Sequence, residues 1–77
     1  MNLEFEKTVG NNIRILREER KMTQERLSTA LQLEGCDITR SALAKIEVGL
    51  RHLYPDELYY VAKILAVPAD EILNIKR

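Results

Sequence analysis

The stretch TQERLSTALQLEGCDITRSALAKIE, residues 23–47, decides the fold. It opens on Thr23, whose hydroxyl suits a helix N-cap, with Arg26 rather than an acid at the capping-box position. Leu27, Ala30 and Leu31 follow at helical spacing and predict the buried stripe of a short helix. Residues 32–38 lose that period and contain the turn formers Gly35 and Asp37, so they read as a connecting loop. Thr39 then caps a second helix. From Arg40 to Glu47 the side chains divide by angle, with Ala42, Leu43 and Ile46 on one side and Arg40, Ser41, Ala44 and Lys45 on the other. Gly49 ends that helix in the usual C-terminal manner. The stretch therefore predicts two short capped helices, the second with a polar face carrying two cations.

Working outward, Phe5, Val9, Ile13 and Leu16 recur at spacings of four, four and three and predict the buried stripe of a first helix ending near Arg20. Beyond a loop through Tyr54, Pro55 fits the first turn of a fourth helix, and Asp56 and Glu57 suit its N-terminal dipole. Leu58, Val61, Ala62 and Leu65 form its core stripe. Pro68 opens a short fifth helix bearing Ile72 and Leu73, with Ile75 following. The expected fold is all-α, a compact five-helix domain spanning residues 1–77.

A chain of 77 residues buries only about 60% of its unfolded surface, so its core must be simple. The 45% hydrophobic content is that of a globular chain, and no apolar run approaches the roughly 18 residues a membrane span needs. Two acids near the N-terminus, Glu4 and Glu6, and no continuous apolar stretch there argue against a secretory signal, so a cytoplasmic location is expected. The single Cys36 forms no internal disulfide, and with one histidine no metal site is expected. Catalysis is not expected either, because Cys36 and His52 lack a base or metal partner and no glycine-rich phosphate loop is present. No cofactor or small-molecule ligand is called for. Twelve basic and twelve acidic side chains sum to zero, but between Lys7 and Arg51 there are nine basic against six acidic. Charge is thus segregated along the chain, compatible with one basic side.

A capped helix, a turn and a second helix with an exposed polar face is a geometry that places one helix in a DNA major groove. The sequence also resembles the phage-repressor and Cro-like helix-turn-helix family of the XRE type, whose fold is lambda-repressor-like. The motifs carrying the resemblance are IRILREER from Ile13, MTQERL from Met22, ITRS from Ile38, KIEVG from Lys45 and ILAVPADEIL from Ile64. The resemblance implies a transcriptional regulator, of the repressor kind, that binds double-stranded DNA. It implies that Gln24 contacts a phosphate, that Thr39, Arg40, Ser41, Ala44 and Lys45 face the bases, and that Arg17 and Glu47 form a structural ion pair. Arg40 suits guanine as a bidentate donor, Lys45 reaches guanine or phosphate, and Ala44 suits a thymine methyl. In the loop after the second helix of the motif, Arg51 and His52 are candidates for phosphate contacts.

Two features depart from the family pattern: the turn between the motif's helices is several residues longer than usual, and Val48 replaces the polar residue common before Gly49. With the zero net charge, they keep a second reading open, a module that retains this frame but binds a protein partner. One helix reads only a few base pairs, so a homodimer is expected, with its surface within residues 55–77 formed by Tyr60, Ile64, Ile72, Leu73 and Ile75. The alternative for these five is completion of the monomer core or contact with the first helix.

Overall fold

The computed structural model describes residues 2–74, so Ile75 of the expected dimer surface lies outside the described residues. Five helices follow in order: α1 Leu3–Glu19, α2 Gln24–Leu33, α3 Arg40–Glu47, α4 Pro55–Leu65 and α5 Ala69–Leu73. Among the described residues there is no strand. α1 packs against α3, α4 and α5, while α2 packs against α3 and α4, so the layers close around one core. That core is Val9, Ile13 and Leu16 of α1, Leu27 and Leu31 of α2, Leu43 and Ile46 of α3, Val61, Ala62 and Leu65 of α4, and Ile72 of α5.

The predicted caps form. Thr23 Oγ1 accepts from the Arg26 N–H at 3.0 Å, and Thr39 Oγ1 accepts from the Ala42 N–H at 3.1 Å. A third cap, Asn2, accepts from the Phe5 N–H and starts α1. At the other ends, α1 to α4 all close the same way. A residue with positive φ, respectively Lys21, Gly35, Gly49 and Ala66, bonds back three residues. The next residue, Met22, Cys36, Leu50 or Val67, bonds back five, to the carbonyl of Arg17, Leu31, Lys45 or Ala62. These paired bonds satisfy carbonyls that a helix end otherwise leaves open.

Three expectations are corrected here. The loop does not begin at Gln32: α2 runs to Leu33, because Gly35 closes its end by bonding to the Gln32 carbonyl. Phe5, placed in the core stripe, is 39% exposed and lines a surface groove with Val9, Leu53, Leu58 and Leu73. Ile72, expected on a dimer surface, is fully buried and completes the core of the single chain. The connection between α2 and α3 is also not merely a spacer. Cys36 and Ile38 turn inward and are buried, so this long turn adds apolar surface to the core. Burial pushes the Cys36 thiol up from its ordinary range, with Glu57 and Asp56 adding to the effect, which keeps it in the unreactive protonated form.

Candidate nucleic-acid interface

The position of α3 is fixed at its C-terminal end. A Cβ on Gly10 would lie 2.0 Å from the Ile46 carbonyl oxygen, so α1 and the last turn of α3 meet backbone to backbone. A glycine inside a helix costs about 1 kcal/mol relative to alanine, and here it permits that approach. Gly49 answers from the other side: its φ of +81° would strain any side chain, and a Cβ there would lie 2.5 Å from Lys7 Cγ and 3.0 Å from Lys7 Cα.

Beside this seat the expected ion pair is present. Arg17 Nε donates to Glu47 Oε2 at 2.8 Å and its Nη2 to Glu47 Oε1 at 3.0 Å, with both side chains at least nine-tenths buried. The hydrogen bond to Glu47 raises the Arg17 pKa, so the cation is permanent. Arg17 Nη1 also donates to the Met22 carbonyl at 2.7 Å, and Gln24 Nε2 donates to Glu47 Oε1 at 3.0 Å. One buried network thereby ties the end of α1, the start of α2 and the end of α3. With both charges paired and satisfied, loss of one partner would cost about 3–5 kcal/mol.

On the outer face of α3, Arg40, Ser41 and Lys45 are exposed and Ala44 is half-buried. Neither Arg40 nor Lys45 has a hydrogen-bond or ion-pair partner for its side chain among the described residues. This contrasts with Arg14, Arg17, Arg20 and Arg51, each paired with a glutamate. Thr39 is exposed at the helix start, its oxygen engaged as the cap.

The residues expected to meet phosphate are placed differently. Gln24 sits at the first position of α2, where backbone N–H groups favour an anion, but its side-chain amide points into the Glu47 network. Arg51 faces Glu57 as a two-bond fork, Nη1 to Oε1 and Nη2 to Oε2, both at 2.9 Å, and Nη1 donates again to the His52 carbonyl. The Tyr54 ring lies 5.9 Å from its guanidinium carbon. The fork raises the Arg51 pKa and holds the Glu57 carboxyl below the usual carboxylate range. His52 contacts Glu6 of α1 through Nδ1 and stacks edge-on against Tyr54.

Several organising residues escaped the sequence reading. Asn12 is fully buried and donates through Nδ2 to the Ile72 and Asn74 carbonyls, both at 2.8 Å, fastening α5 to α1. Arg20 Nε donates to the Leu65 carbonyl at the end of α4. Lys63 bridges from α4 to Glu34 at the end of α2, 2.7 Å away. Glu57 accepts from the Tyr54 N–H at the start of α4, and the run Tyr54-Pro55-Asp56-Glu57, with glutamate at the third helical position, was the available signal. For Asn12 and Arg20 nothing local announces partners 60 and 45 residues away.

Among the described residues no group of three or more His, Cys, Asp or Glu side chains is placed to hold a metal ion, and no helix is long and apolar enough to cross a membrane. Comparison with known proteins finds the helix-turn-helix family over residues 13–72. No curated protein sequence matches the chain. Among solved structures, the crystal structure of the DNA-binding domain of BldD superposes with a TM-score of 0.78 at 19% identity, covering 94% of this chain and 97% of that one. The arrangement of five helices is therefore an all-α fold already seen in that domain.

Proposed function

We propose that this chain, which belongs to the XRE-type helix-turn-helix family, is a sequence-specific DNA-binding regulator of the repressor kind. α3 enters the major groove, Arg40 offers a bidentate fork to guanine, Lys45 reaches a guanine or phosphate one turn later, and Thr39, Ser41 and Ala44 complete the reading face. Gln24, Arg51 and His52 position the backbone, Arg17 and Glu47 hold the reading helix, and residues 1–77 act as one cytoplasmic, non-catalytic domain without a cofactor. The observation that carries this reading is the placement of two exposed, partnerless cations, Arg40 and Lys45, together on the outer face of α3, whereas the other exposed and partnerless cations among the described residues, Lys7, Lys21 and Arg26, lie on α1, after it and on α2. The fold shared with a DNA-binding domain adds support.

The protein acts as a homodimer on half-sites about one helical turn apart. With Ile72 in the core, its surface rests on Leu73, 37% exposed, and on Tyr60 and Ile64, which are half-buried against the core.

Selection of bound duplexes from a random pool, followed by titration, tests the reading. Arg40→Ala should weaken the selected duplex by about 1–3 kcal/mol and random duplex by less. Equal loss on every sequence contradicts base reading by Arg40. The exposed Val48 and Leu50 directly after α3, 57% and 76% accessible, favour the second reading, a protein partner on the same frame. The two separate by salt, because a DNA complex loses affinity steeply as salt rises.

A further inference from the structure

The Arg51–Glu57 pair is half exposed in the useful sense: its arginine is 29% accessible and its glutamate 12%. A guanidinium carries five N–H donors in a rigid fork. Glu57 takes one from each terminal nitrogen and the His52 carbonyl takes the second from Nη1. Nε–H and the remaining Nη2–H are left, and these two lie on one edge of the plane. Among the described residues neither of these N–H groups has a hydrogen-bond partner. Arg51 can therefore bind a phosphate oxygen pair through its open edge without releasing Glu57, while Tyr54 and the His52 carbonyl keep the plane in place. The electrostatic consequence is unusual. A free arginine brings a full positive charge to the duplex, whereas this one arrives already neutralised.

Resting on the DNA-binding reading above, we infer that Glu57 is a specificity-determining residue: by neutralising Arg51 it keeps the phosphate contact geometric and lowers affinity for DNA of arbitrary sequence. Non-specific affinity comes from uncompensated cations that displace counterions, and specific affinity adds base contacts on top of it. Balancing Arg51 while the α3 cations Arg40 and Lys45 stay uncompensated removes one sequence-independent contribution and keeps those of the reading helix. The zero formal charge of the chain agrees with this division.

The test uses the full chain, one duplex recovered by selection and one of random sequence, titrated over a range of salt. Glu57→Gln retains an oxygen for the Tyr54 N–H and removes the charge. It should tighten binding to random duplex up to about tenfold near 0.1 M salt and steepen the log–log salt slope by about 0.9. The selected duplex should gain less, so the ratio of the two affinities falls. In an Arg51→Ala background the same substitution should give a smaller gain and leave the salt slope unchanged, since only repulsion by the acid is relieved and no arginine remains there to meet a phosphate. Unchanged or weaker binding to random duplex by a Glu57→Gln protein with native-like melting overturns the inference, and so does an equal gain in the Arg51→Ala background. If either occurs while wild type still prefers the selected duplex, DNA reading stands and only the role of Glu57 falls. If wild type binds neither duplex, both fall.

Discussion

Gly10 sets how closely α1 and α3 approach each other. Replacing it with alanine gains helix propensity, yet the new Cβ would meet the Ile46 carbonyl oxygen at 2.0 Å, a backbone atom with no rotamer to yield. Gly10→Ala should destabilise the fold by about 2–3 kcal/mol in urea unfolding, against the small gain expected of an exposed helical glycine. A stabilised variant would mean that α1 and α3 do not sit this close. At the same scale, the sequence was most readable where chemistry is local. Thr23 and Thr39 announce caps because their acceptors lie three residues on, and Gly49 announces a helix stop through its own φ. Gly10 and Asn12 are silent because what explains them, Ile46 and Ile72, lies far along the chain.

At the scale of elements, four helices share one closing motif, but only two of them place glycine at the left-handed position. Gly35 and Gly49 made the ends of α2 and α3 legible, although the α2 boundary was read short. Lys21 and Ala66, both at φ 58°, gave no such signal, because a non-glycine residue there is held by the flanking bonds and by packing of the half-buried Met22 or Val67 that follows against the core. Each carries a steric cost that glycine would relieve. Lys21→Gly and Ala66→Gly should therefore each raise stability by about 0.5–1 kcal/mol, visible as a higher melting temperature, after allowance for glycine's greater freedom in the unfolded chain. A fall in melting temperature would place these two residues outside the left-handed region. The helix most open to misreading was α5, whose five residues include a core contributor, Ile72, that resembled surplus apolar surface.

Across the whole molecule, acid should act through paired carboxylates. Arg51 holds the folded-state pKa of Glu57 below the ordinary glutamate value, so the native state binds fewer protons there than the unfolded chain. The resulting stability is complete above the unfolded pKa of about 4.3 and is lost as pH falls through the lower native value. Glu57→Gln should accordingly be less stable than wild type at neutral pH, with the gap closing below about pH 4, as read from melting against pH. A gap independent of pH would assign the effect to the cap of α4 instead. Association belongs to this scale too. Wild type should sediment as a dimer and Leu73→Asp as a monomer, and a wild-type monomer at working concentrations would remove the dimer from the proposal. The sequence spoke clearly about which face of α3 is polar, and much less about pairing, since the glutamates that engage Gln24, Arg51 and His52 come from α3, α4 and α1.

The glycine seat between α1 and α3 also separates the mounting of α3 from its outer face. Everything that registers α3 lies on its inner side or at its last turn: Gly10, Gly49, Leu43, Ile46 and Glu47. Nothing on the outward quartet Arg40, Ser41, Ala44 and Lys45 takes part in that registration. A different quartet should therefore be accepted without change to the fold, and on the proposed DNA-binding reading such a graft would alter the preferred duplex while leaving the melting temperature near that of wild type.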